Sequence, residues 1–127
     1  MEAKMSDRCM IGFANSDKTV TSVYCHWNGD PKDAGVILLK NYNTAQAVQQ
    51  LLKLGYLSVL GNSLDESIQM VNPHEPADTN RSHRAFKSHG ERFGVSYLYL
   101  FTDSGWLFAT PYESGWTPLA EVLEHWE

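Results

Sequence analysis

The densest chemistry in the chain lies between positions 81 and 92. Arg81, Arg84, Lys87 and Arg92 stand there against a single acid, Glu91, with Phe86 in their midst. Guanidinium groups present forked donors that fit phosphate or carboxylate oxygens, and an aromatic ring among them can stack on a base. The set reads as a binding site for a small anionic, nucleotide-like ligand or as a protein-docking loop. The competing reading is a solvated loop with no ligand. His83 and His89 add charge only under mildly acidic conditions, because imidazole titrates near ~6.5. The window carries +3, which leaves −8 for the other residues of a chain whose total is −5.

Other chemistry has weaker support. His74, Glu75, Asp78, His83 and His89 fall close together and are of metal-ligating types. Their spacing matches no recognised site. His74-Glu75 fails to open an HExxH motif, since Asp78 stands where the second histidine is required. Cys25 and His26 are adjacent on a predicted strand, so their side chains point to opposite faces and cannot pair as nucleophile and base. The sequence has no GxSxG, GxxxxGK[ST] or GxGxxG. No catalytic residue, metal or cofactor is assigned on these grounds, and a non-enzymatic binding protein is the leading reading. The first alternative is a small phosphoesterase or nuclease that uses His26, His83 or His89, with or without a metal.

The elements that must position these residues follow from periodicity. Residues 9–14 and 19–27 read as two strands joined by the turn Asn15-Ser16-Asp17-Lys18. Asp30-Pro31 opens a helix to about Lys40, with Asp30 as N-cap. A second helix is predicted over 44–54, capped by Asn43 and closed by Gly55. Tyr56–Gly61 reads as an apolar connector, and 62–72 as ambiguous, with room for a short edge strand. Residues 73–92 lack apolar periodicity and read as a long mobile loop. Val95–Thr102 and Trp106–Pro111 form a second hairpin around Asp103-Ser104-Gly105. Thr117-Pro118 opens a last helix with Leu119, Val122, Leu123 and Trp126 on one stripe. The order ββ-αα-(β)-loop-ββ-α predicts a single α+β domain over 1–127. Its antiparallel sheet would have four to five strands, with helices packed on it.

Composition narrows the classes further. The chain has 127 residues, 43% of them apolar and 20% charged, which is ordinary globular usage. A net charge of −5 argues against sequence-independent DNA coating and against a polybasic membrane anchor. Met1–Arg8 is polar and has no apolar signal region. The longest apolar run, Tyr97–Phe101, is five residues, far short of the ~18 a membrane helix needs. Cys9 and Cys25 are the only cysteines. The expectation is a cytoplasmic protein with two reduced core thiols. Tyr97, Tyr99 and Phe101 share one strand face, which leaves a homo-oligomer through the sheet as the second alternative, a self-associating structural module.

The run Ser22-Val23-Tyr24-Cys25-His26-Trp27-Asn28-Gly29-Asp30-Pro31 resembles a family of small uncharacterised proteins of phages, prophages and mobile elements. Gly35, Leu38-Leu39, Tyr42, the segment Leu54–Gly61 and the Tyr97–Phe101 strand with Trp106 fit the same pattern. The resemblance covers about 9–61 and 90–118. Asn28 stands where the family usually has Asp, and Asp30 where it often has an aromatic residue. The resemblance implies a phage or mobile-element accessory protein, of the kind that inhibits a host factor in counter-defence, and it transfers no catalytic residue. Within the shared run, Tyr24, His26 and the Gly29–Pro31 turn are candidates for a binding surface. A core histidine bonded to a carbonyl is the plainer account of His26.

Overall fold

The computed structural model describes residues 7–126. Most of the polar start, Met1–Ser6, therefore lies outside the described residues. The first hairpin forms as the sequence predicts. β1, Cys9–Ala14, pairs antiparallel with β2, Val20–Trp27, with Cys9 opposite Cys25 and Ala14 opposite Val20. Asn15 ties the turn, its Nδ2 donating to Thr19 Oγ1 and Thr21 Oγ1 at 3.0 Å each. Both cysteines are buried and free.

Asp30 caps the next helix, its Oδ1 accepting from Asp33 N at 3.0 Å, with Pro31 in the first position. The helix begins as a wide π-type turn over Pro31–Gly35 and tightens into α1, Val36–Asn41. α2, Ala45–Leu52, is capped by Thr44 rather than Asn43: Thr44 Oγ1 accepts from Ala47 N at 3.1 Å. Val48, Leu51 and Leu52 supply its buried face. Gly55 follows at φ +79°, the left-handed turn expected of it.

The next segments depart from expectation. The connector after Gly55 holds β3, Leu57–Val59, and the ambiguous stretch supplies β4, Ile68–Gln69. The segment read as a mobile loop over 73–92 is largely regular. It contains β5, Asp78–Asn80, and the eleven-residue α3, His83–Phe93. Ser82 caps α3 by accepting from Ala85 N at 3.0 Å, and Gly94 closes it at φ +72°. β6, Tyr97–Thr102, and β7, Gly105–Ala109, form the second hairpin. Thr117-Pro118 does not open the last helix. It pairs with β7 as β8, and α4, Leu119–His125, starts beyond it without a side-chain cap.

The class is α+β, with helices packed on one sheet. Among the described residues the sheet holds eight strands rather than four or five, in the order β4-β3-β2-β1-β6-β7-β8, with β5 also on β2. It is mixed: β1 pairs parallel with β6, and β2 with β3, while the other pairs are antiparallel. Parallel neighbours need a crossover, and the chain between β1 and β6 provides it through the helices.

Both faces of the centre are covered. Ile11, Val23, Cys25 and Tyr99 lie on the face that receives α2 and α4. Met10, Gly12, Ser22 and Leu98 lie on the opposite face, beneath α3. The strand face that suggested self-association is thus used internally. Tyr99 is fully buried, Tyr97 packs on Trp126, and Phe101 stacks on Phe13. Among the described residues no helix is long and apolar enough to cross a membrane.

α3 reaches the sheet through one close approach. A Cβ at Gly12 would lie 2.9 Å from Phe86 Cζ and 2.9 Å from Val20 Cγ1. Alanine in a strand normally gains stability over glycine. Here Gly12→Ala is expected to lose about 1–3 kcal/mol by forcing Phe86 off its seat. Urea denaturation measures this, and a gain in stability would contradict the packing described.

Candidate functional site

α3 sorts the basic residues by helical geometry. Phe86 and Gly90, four apart, turn into the core and are buried. Arg84, Ser88 and Arg92 recur every four residues on the outward side and are exposed. Arg81, just before the helix, is also exposed. These three arginines line one open groove of about 530 Å3 together with Thr79, Asn80, Ser82 and Ser88. Among the described residues none of the three makes an ion pair. Arg84 and Arg92 are eight residues apart, or roughly 12 Å along the axis at 1.5 Å per residue. The groove therefore offers several separated cationic forks and hydroxyl donors, and among the described residues no carboxylate lines it.

Two predicted members of the set do other work. Phe86 is fully buried and lies parallel to Trp116 at 6.2 Å, so it cannot stack on a ligand. Lys87 turns to the loop that follows β7. Its Nζ donates to Glu113 O at 2.7 Å and Gly115 O at 3.0 Å, and lies 5.2 Å from the centre of the Trp116 ring. Burial pulls the Lys87 pKa down, against the opposing charge of Glu113. It is a staple rather than a ligand contact.

Tyr24 and His26 sit away from the groove. Tyr24 is buried and meets Phe93, the last residue of α3, with ring centres 5.3 Å apart. Its hydroxyl bonds His26 Nδ1 at 2.8 Å. His26 is half-buried beside Trp27 and is bonded to a phenol, not to the carbonyl anticipated for a core histidine. The structure thus brings Arg81, Arg84 and Arg92 to one groove, and leaves Tyr24 and His26 outside its lining, with Tyr24 against Phe93 at the C-terminal end of α3.

A polar network that the sequence did not reveal fixes α3 from below. Asn80 Nδ2 donates to Ser22 Oγ at 3.0 Å and to Val20 O at 3.4 Å. Its amide oxygen therefore faces His89, whose Nδ1 donates to it at 3.0 Å. His89 Nε2 lies 3.8 Å from Asp78 Oδ2, and that same oxygen accepts from the Tyr56 hydroxyl. Burial, and then the bond to Asp78, push the Tyr56 phenol well above its ordinary pKa, so it stays a neutral donor. β5 supplies Asp78 and Asn80, and α3 supplies His89. No apolar pattern could announce this, since the segments are joined by side-chain bonds. Among the described residues no three His, Cys, Asp or Glu gather as a metal site. No protein-family model, curated protein or solved structure matches this chain.

Burial lowers the His89 pKa, Arg92 adds to this, and Asp78 opposes it. A base whose folded pKa lies below its unfolded value stabilises the fold fully only above the unfolded value, near ~6.5. That contribution declines as pH falls from there toward the folded pKa. The stability gap between the wild type and His89→Gln is therefore expected to narrow from pH 7.5 to pH 5.5. Urea denaturation of both proteins at the two pH values measures it. A gap that widens on acidification would mean that Asp78 outweighs burial.

Proposed function

We propose that this protein is a binding protein whose outward α3 face takes a phosphate-rich or otherwise anionic partner. The observation that carries the reading is the row of three exposed arginines with no ion-pair partner among the described residues. Like charges on one short face repel, and an anion relieves that repulsion while accepting forked hydrogen bonds. The hydroxyls of Thr79 and Ser88 border the same groove and add neutral donors.

The charge distribution supports the same reading. Residues 81–92 carry +3 on a chain with a total of −5. An acidic body with one basic helix repels an extended polyanion except along that helix, which favours short or local ligands over a coated duplex. The resemblance to phage and mobile-element proteins is in keeping with a host-derived ligand or a host factor as the partner. In that setting the protein would act by occupying or sequestering it. Arg81, Arg84 and Arg92 are the residues assigned to contact; Phe86 and Lys87 hold the helix and its neighbouring loop.

Inorganic tripolyphosphate is the simplest probe of this face. The double variant Arg84→Ala/Arg92→Ala is expected to weaken its binding about tenfold or more, as the loss of charge-assisted contacts requires. Both positions are exposed, so the variant should keep the wild-type circular dichroism spectrum. Isothermal titration calorimetry at fixed salt reads the affinity, and unchanged binding would remove the assignment.

A further inference from the structure

Arg84 borders two grooves, not one. On one side lies the arginine and hydroxyl groove, with no aromatic residue in its walls. On the other lies a second groove, bordered by His83, Lys87, Tyr112, Glu113, Ser114 and Trp116 among others. Trp116 is engaged there by the Phe86 ring and by Lys87. Tyr112 is not engaged. It is 72% exposed, and it makes no hydrogen bond or ring contact with another described residue.

The fold nonetheless holds Tyr112 close to α3. Pro111 before it is buried and lies two residues past the end of β7. The residue after it, Glu113, gives its carbonyl to Lys87 Nζ, and Gly115 does the same. Lys87 lies three residues beyond Arg84, one turn along the same helix. The loop bearing an unused phenol ring is thus stapled one helical turn from the arginine that joins the two grooves. A phenol ring kept in water at such a point makes no ring contact within the fold among the described residues.

We infer that the anion taken by α3 is a nucleotide, with its phosphates on Arg81, Arg84 and Arg92 and its base stacked on Tyr112. This rests on the anion-binding reading above and adds the base. The division of labour is chemical: guanidinium forks and hydroxyls suit phosphate oxygens, and a free aromatic face suits any unpaired base. Duplex DNA is disfavoured, because its bases are stacked on one another and hidden from Tyr112. A free nucleoside polyphosphate and a short single strand share the required chemistry.

The test compares tripolyphosphate, ATP and the oligonucleotide (dT)8 by calorimetry on the full chain. ATP should bind about tenfold tighter than tripolyphosphate at equal salt, the usual scale of one base–aromatic stack. Tyr112→Ala should abolish that margin and leave tripolyphosphate binding intact, while Tyr112→Phe should preserve it. Tyr112 is exposed, so neither variant should disturb folding. Tighter binding of (dT)8 than ATP assigns the nucleotide to a strand, and the reverse assigns it to a free nucleotide. Equal affinity for ATP and tripolyphosphate, insensitive to Tyr112→Ala, would overturn the inference and leave the anion site standing. No binding of any of the three probes would overturn both.

Discussion

The ring of Phe86 lies over Gly12 of β1, where no Cβ intervenes, and stacks on Trp116 on its way there. This seat sets the rotation of α3. Once Phe86 points to the sheet, Gly90 follows it inward one turn later, against Leu98 and Val95. Arg84, Ser88 and Arg92 must then face outward. Because α3 is the one helix found against this sheet face among the described residues, its rotation decides what the face shows to solvent. The same packing explains the buried glycines. A side chain at either position would push the helix off the sheet or turn its arginines toward a neighbour.

Side-chain bonds finish what packing begins. Ser22, Asn80 and His89 form an unbroken hydrogen-bonded row from β2 through β5 to α3. Asp78 links that row to Tyr56, the residue before β3. Buried polar groups cost little when each finds a partner, and such a row favours one position of the helix over others. Lys87 does the equivalent on the opposite flank, tying α3 to the loop after β7. Lys87, whose charge is engaged within the fold, is thereby separated from Arg81, Arg84 and Arg92, which face solvent.

Much of this architecture was legible in the residues, and its failures have physical reasons. The two hairpins, the Asp30 cap and the turn at Gly55 follow from local chemistry and are where the sequence puts them. α3 was hidden because only Phe86 and Gly90 on it are buried, too few to sound a helical period. Its caps, Ser82 and Gly94, were the readable signal. β3, β5 and β8 are three residues long or fewer and exist through their neighbours. The parallel pairing of β1 with β6 is a tertiary choice that hairpin logic does not anticipate. Of the candidate site, the arginines were found from charge alone. Composition cannot say which way a ring points, so Phe86 reads as a stacking ring although it is buried, and the exposure of Tyr112 has no signature in the sequence.

The central claim is that the outward face of α3 is the binding surface. Backbone amide shifts followed during titration with tripolyphosphate test it residue by residue. The account predicts perturbation concentrated in Thr79–Arg92, with α2 and α4 silent. Perturbation centred on the turns after β1 and β6, with the amides of α3 unmoved, would contradict it.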